Sequence, residues 1–188
     1  MLYWAADLVQ FALVPLLLFL FLRSVSIRPS AYGFRSLTSS LSGVEAIAVV
    51  LFVAFVYWVA YEPVRNIAYR FLWQYAGTFN HKDALPETPV LRLIVVIYLA
   101  TSAALIEEAV FRGLSWLYVG QYKRSPFSVP SFAVITSLLF AAIHYEQGPH
   151  AMIAALSVGI VAAMLYAKIQ NIWPFLIAHF LIDIRSYL

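Results

Sequence analysis

The stretch Ala104-Leu105-Ile106-Glu107-Glu108-Ala109-Val110-Phe111-Arg112 puts two adjacent carboxylates and a guanidinium inside an apolar run from about Val90 to Val119. A run of that length can cross a bilayer, which takes about 20 apolar residues. One charge near the bilayer centre costs roughly 2.5–3.5 kcal/mol on insertion scales. Three such groups this close together must therefore be paired, hydrated or chemically employed. Glu108 and Arg112 stand four apart, so on a helix they share a face and can pair. Glu107 is rotated about 100° from Glu108 and has no partner at i+3 or i+4. It needs a partner from another helix, or water. An ion cluster that only pins helices together is the plain alternative, but polar contacts between membrane helices are usually made with Ser, Thr or Asn.

The rest of the chain is as apolar as this run. Of its 188 residues, 63% are hydrophobic and 11% charged, against about 25% charged in soluble domains. This is the composition of an integral membrane protein, one all-α domain over residues 1–188. The absence of cysteine excludes disulfides, thiolate nucleophiles and Cys-ligated zinc. The net charge of +3 is spread along loops without a basic cluster, which excludes a nucleic-acid partner. No Lys or Arg precedes the first apolar run, so it reads as a retained span, not a cleaved signal peptide.

Six spans are expected. The first covers about Trp4–Leu22, the second about Val44–Tyr61. Ser42 and Glu45 form a capping box at the start of the second, and Pro63 marks its end. An amphipathic interfacial helix follows, with Ile67, Phe71 and Tyr75 recurring at fours. Thr88-Pro89 starts the third span, about Val90–Val119, closed by the basic turn Gln121–Pro126. The fourth runs about Pro130–Tyr145 and breaks at Gln147-Gly148-Pro149. The fifth, about Ala151–Ala167, is rich in Ala, Gly and Ser, which lets helices approach closely, so it is expected to be central. The sixth runs about Ile172–Tyr187.

The other ionisable groups at membrane depth are His144 at the end of the fourth span and His179 and Asp183 on the sixth. His179 and Asp183 share a face, so the carboxylate can orient the imidazole or act beside it. Carboxylates and imidazoles from three helices, converging on a cavity near the Gln147–Pro149 turn, can activate water, hold a metal or relay protons. Glu146 and His150 flank that turn beside the expected cavity mouth and are expected to be solvated loop residues, with contact to substrate as the alternative. Phe111 and Phe140 read as packing residues.

In that order, Glu107-Glu108-x-x-x-Arg112, Phe140-x-x-x-His144 and His179-x-x-x-Asp183 resemble the CPBP family, the CAAX prenyl proteases of the Rce1 type and the bacteriocin-processing or Abi proteins. The likeness covers about residues 90–188, and Tyr32-Gly33-Phe34-Arg35 resembles a short Gly-containing segment often found after the first span. The resemblance implies an intramembrane endopeptidase whose catalytic motifs lie on the third, fourth and sixth spans. It assigns water activation to Glu107 and His144, and the oxyanion to His179 and Asp183, with Glu108 and Arg112 in support. Many relatives carry Asn at the Asp183 position. Asn can donate to an oxyanion and an ionised Asp cannot, so Asp183 is either protonated, or orients His179, or assists a metal.

A glutamic mechanism without cofactor is preferred. Zinc is the alternative, with Glu107, His144 and His179 as its ligands. The expected partners are a peptide or protein substrate at the membrane and the lipid bilayer itself. The short chain without targeting extension points to a prokaryotic cytoplasmic membrane, crossed several times. A proton-coupled transporter and a non-catalytic immunity or scaffold protein are the competing readings.

Overall fold

The computed structural model describes residue 5 and residues 7–39, 41–72, 81–122 and 128–187. Trp4, Tyr75 and residues 123–126, which enter the expected first span, interfacial helix and basic turn, lie outside them. The described residues are helical, with no strand among them. In chain order, a π-helical turn Val9–Leu13 leads into α1 (Val14–Ser24), and α2 is Gly43–Ile67. Then come α3 (Pro89–Glu108), a π-helical segment Ala109–Leu114, and α4 (Ser115–Tyr122). The chain ends with α5 (Ser128–Ala142), α6 (Pro149–Ile169) and α7 (Trp173–Tyr187).

Among the described residues, three continuous helical stretches are long and apolar enough to cross a membrane: Gly43–Phe71, Pro89–Val119 and Pro149–Ile169. Val9–Ser24 and Ser128–Ala142 are shorter apolar helices. α7 has 15 residues, about 22 Å at 1.5 Å per residue, less than the roughly 30 Å of a hydrocarbon core. The architecture is a helical membrane bundle, and its outer faces carry the large apolar side chains, such as Val44, Leu51, Phe55, Val90 and Ile94.

The second span corrects the sequence reading. Ser42 and Glu45 do form the capping box, but α2 runs through Pro63 to Ile67 and on into a π-turn, Ala68–Leu72. The first half of the expected interfacial helix is thus continuous with the span. Proline removes one donor from the ladder, and membrane helices tolerate it where neighbouring groups re-satisfy the freed carbonyl.

α6 is central. Its Ala154, Ala155, Ala162 and Ala163 are fully buried, and α2 and α5 pack along it. At Gly159 a Cβ would stand 3.0 Å from that of Ser137 on α5, tighter than ordinary contact, so glycine lets the two helices approach this closely without displacing Ser137. α2 turns Val53, Tyr57 and Ala60 inward, one helical face by spacing, toward α6 and α7. α7 also packs on α3.

The segment after α1 straps one end of the bundle. Gly33 caps a 3₁₀ turn, Pro29–Tyr32, at φ 98°, a conformation that favours glycine. Its carbonyl accepts from the Ile172 N–H at 3.0 Å, and the Arg35 carbonyl accepts from Asn171 Nδ2 at 2.9 Å. The buried Tyr32 lies directly against Gly113 of the π-helical segment.

Candidate active site

α3 ends at Glu108, where the helix widens into the π-helical segment Ala109–Leu114. Such π-turns are rare and often mark functional sites. Glu108 and Arg112 are both fully buried here. Arg112 Nε lies 3.1 Å from Glu108 Oε2, close enough to pair but not aligned for a hydrogen bond. The guanidinium also sits 4.7 Å over the Phe140 ring on α5, a cation–π contact. Phe140, expected as packing alone, therefore also helps to hold the buried cation.

α7 brings His179 to this pair. Its Nδ1 is 2.8 Å from Glu108 Oε1. An ionised carboxylate only accepts, so the imidazole carries its proton on Nδ1 and donates it. Nε2 then faces two more carboxyls, Glu107 Oε2 and Asp183 Oδ2, each at 3.6 Å. Glu107 thus finds its partner on another helix. Asp183 shares a face with His179, but Glu108 orients the ring and Asp183 stands beside the other nitrogen.

His144 lies just beyond the end of α5. Its Nδ1 is 2.8 Å from the Phe140 carbonyl, which can only accept, so this imidazole too has Nδ1–H and an uncommitted Nε2. Its ring packs edge-on against Phe140 at 4.8 Å, and Phe140 packs against His179 at 6.1 Å. Glu107, His144, His179 and Asp183 all line one cavity of about 540 Å³. A volume of that size is ordinary for a small-ligand cleft and can admit a few residues of an extended peptide.

The cavity wall holds groups the sequence did not single out. Tyr57 and Tyr61 enter from α2, and Asp7 with Gln10 and Phe11 from the start of the chain. Asp7 is buried and accepts a hydrogen bond from the Tyr98 hydroxyl at 2.9 Å. The phenols at 57 and 61 sit four apart on the inward face of α2, a pattern visible in the sequence but common in membrane helices. At the turn, Glu146 lines the cavity and accepts from the Tyr145 hydroxyl at 2.9 Å. His150 corrects the expectation of a solvated loop residue. It lies in the first turn of α6, is buried, and packs edge-on against Tyr69 at 5.2 Å.

Among the described residues no three His, Cys, Asp or Glu side chains are disposed to hold one metal ion. His179 commits Nδ1 to Glu108 and His144 commits Nδ1 to a backbone carbonyl.

Comparison with curated proteins and with solved structures gives no match. The Rce1-like family, described as type II CAAX prenyl endopeptidase Rce1-like, matches residues 89–185. That interval runs from the first residue of α3 to the last turn of α7 and contains Glu107, Glu108, Arg112, His144, His179 and Asp183, while Asp7, Tyr57 and Tyr61 of the cavity wall precede it. The chain is an integral membrane protein belonging to the Rce1-like family of CAAX-type intramembrane proteases.

Proposed function

We propose that this chain is a multi-pass glutamic endopeptidase, hydrolysing a peptide bond of a membrane-associated substrate with water activated by Glu107 and His144. The observation that carries the reading is the position of Glu107. Its Oε2 accepts no hydrogen bond, stands 3.6 Å from His179 Nε2, and belongs to a cavity that His144 also lines. A buried carboxylate with an open acceptor, beside one imidazole and sharing a cavity with another, is suited to take a proton from water.

The step balances without a cofactor. Glu107 removes a proton from water, assisted by the uncommitted Nε2 of His144. The hydroxide oxygen bonds to the scissile carbonyl carbon, whose oxygen takes the negative charge. A protonated Asp183 carboxyl supplies a donor to that oxyanion. His179 Nε2 supplies a second once the ring, already bearing Nδ1–H, takes up another proton as imidazolium among the Glu107, Glu108 and Asp183 carboxyls. Such donors are usually a large catalytic contribution. The C–N bond then breaks as the proton held by Glu107 passes to the leaving nitrogen. The products are a carboxylate and an amine.

The test is peptide cleavage by purified chain in detergent or vesicles. Glu107→Gln and His144→Ala are each expected to lower the rate by about 10²–10⁴-fold while the protein inserts and purifies as wild type. Full activity in Glu107→Gln would overturn the assignment of Glu107.

A further inference from the structure

Tyr57 of the cavity wall belongs to a buried cluster with Glu108 and Arg112 that the proposed reaction does not use directly. Tyr57 of α2 is 2% exposed, and its ring is fixed edge-on against Phe175 at 6.2 Å. Its hydroxyl stands in the electrostatic reach of both the Glu108 carboxylate and the Arg112 guanidinium, without a hydrogen bond to either. The Tyr57 hydroxyl, Glu108 Oε2, and Nε and Nη2 of Arg112 are all buried without a hydrogen bond of good geometry. Leaving buried polar atoms unpaired forfeits their hydration with nothing in return, so a slight rotation that pairs them is favoured.

Chemistry fixes how they pair. Arg112 has donors and no acceptor, so the phenol proton has one destination in this cluster, the Glu108 carboxylate. Glu108 Oε2 then receives Tyr57 and Arg112, and Oε1 receives Nδ1–H of His179 at 2.8 Å. Three donors on one carboxylate hold it in place, and through it the imidazole.

We infer that Tyr57 is a positioning residue: its hydroxyl bonds to Glu108 and so fixes the ring and tautomer of His179, whose Nε2 faces Glu107 and Asp183. α2 lies outside the matched interval, so this role belongs to the part of the chain that closes over the site from another side. The kinetic consequence rests on the endopeptidase reading. The structural consequence does not.

The experiment has two arms on the full chain in detergent. The first follows the His179 Nδ1–H resonance by proton NMR with ¹⁵N-labelled histidine, assigned by its loss in His179→Gln. A proton shared with a carboxylate resonates far downfield. Tyr57→Phe keeps the ring and removes the hydroxyl, and the resonance is expected to move. Fluorotyrosine at position 57 keeps the ring and strengthens the donor, and is expected to move it the opposite way. The second arm measures cleavage, where Tyr57→Phe is expected to lower kcat about tenfold, the scale of one hydrogen bond to a charged group, with KM unchanged. A resonance unmoved by both substitutions overturns the proposal, as does a wild-type kcat in Tyr57→Phe. A resonance that moves in a chain whose wild type cleaves nothing overturns the endopeptidase reading and leaves the role of Tyr57 standing.

Discussion

His179 on α7 donates its Nδ1 proton to Glu108 Oε1 on α3 at 2.8 Å, and this bond decides which imidazole nitrogen faces the cavity. Glu108 in turn lies 3.1 Å from Arg112. The same carboxylate therefore neutralises a buried cation and sets a tautomer, two roles that substitution can separate.

Removing one member of a buried ion pair leaves an uncompensated charge, at a cost of about 3–5 kcal/mol. Glu108→Gln is expected to lower stability by that order, read as a fall in thermal unfolding midpoint in detergent. Replacing both members with apolar residues of similar volume is often neutral or stabilising. The pair Glu108→Met with Arg112→Met should therefore recover the unfolding midpoint. It should not recover cleavage, because His179 then has no acceptor for Nδ1–H. Recovery of both would show that Glu108 serves stability alone.

Gly113 meets the Tyr32 carbonyl oxygen so closely that a Cβ there would overlap it, with the Tyr32 Cβ a further 3.3 Å neighbour. Backbone cannot retreat as a flexible side chain can, so Gly113→Ala must shift either the strap or the π-helical segment that carries Arg112. Overpacking of this kind costs about 1–3 kcal/mol. Gly43, at the first turn of α2, has open space around it, and Gly43→Ala is expected to be neutral or stabilising by up to about 1 kcal/mol. Thermal unfolding of the two variants side by side checks both signs.

The donor arrangement predicts indifference to chelation. With no three-ligand cluster among the described residues, cleavage by the purified chain should keep its rate after dialysis against EDTA and 1,10-phenanthroline. A loss restored by added zinc would show that the ligands rearrange around a metal.

Local periodicity made part of this site legible. Glu108 with Arg112, and His179 with Asp183, are each separated by one helical turn, so the sequence places each pair on one face. The contacts between helices were not legible in the same way. That His179 gives Nδ1 to Glu108, leaving Asp183 at Nε2, depends on how α7 is rotated against α3, which no spacing within either helix encodes. Tyr57 was hidden for the same reason, since its role exists only where α2 meets the Glu108–Arg112 pair. The π-helical segment after Glu108 leaves no periodic signature over six residues. Pro63 misled in the opposite direction, because its local preference for ending a helix yields where the surrounding bundle holds α2 together.

Asp183 offers the sharpest test of the proposed chemistry. Its carboxyl oxygen is 3.6 Å from His179 Nε2, on the nitrogen that faces the cavity. If its task is to donate a hydrogen bond to the oxyanion, it must carry a proton while the tetrahedral intermediate exists. An amide does this without any proton. Asp183→Asn is then expected to retain cleavage within about tenfold of wild type, whereas Asp183→Ala, which removes the donor, should lose about 10²–10³-fold. Proton relay predicts a different order: a side chain that must accept and release a proton fails equally as Asn and as Ala. Initial rates of the two variants at one saturating peptide concentration therefore distinguish donation from relay, and equal loss in both would reassign Asp183 from the oxyanion to proton transfer with Glu107.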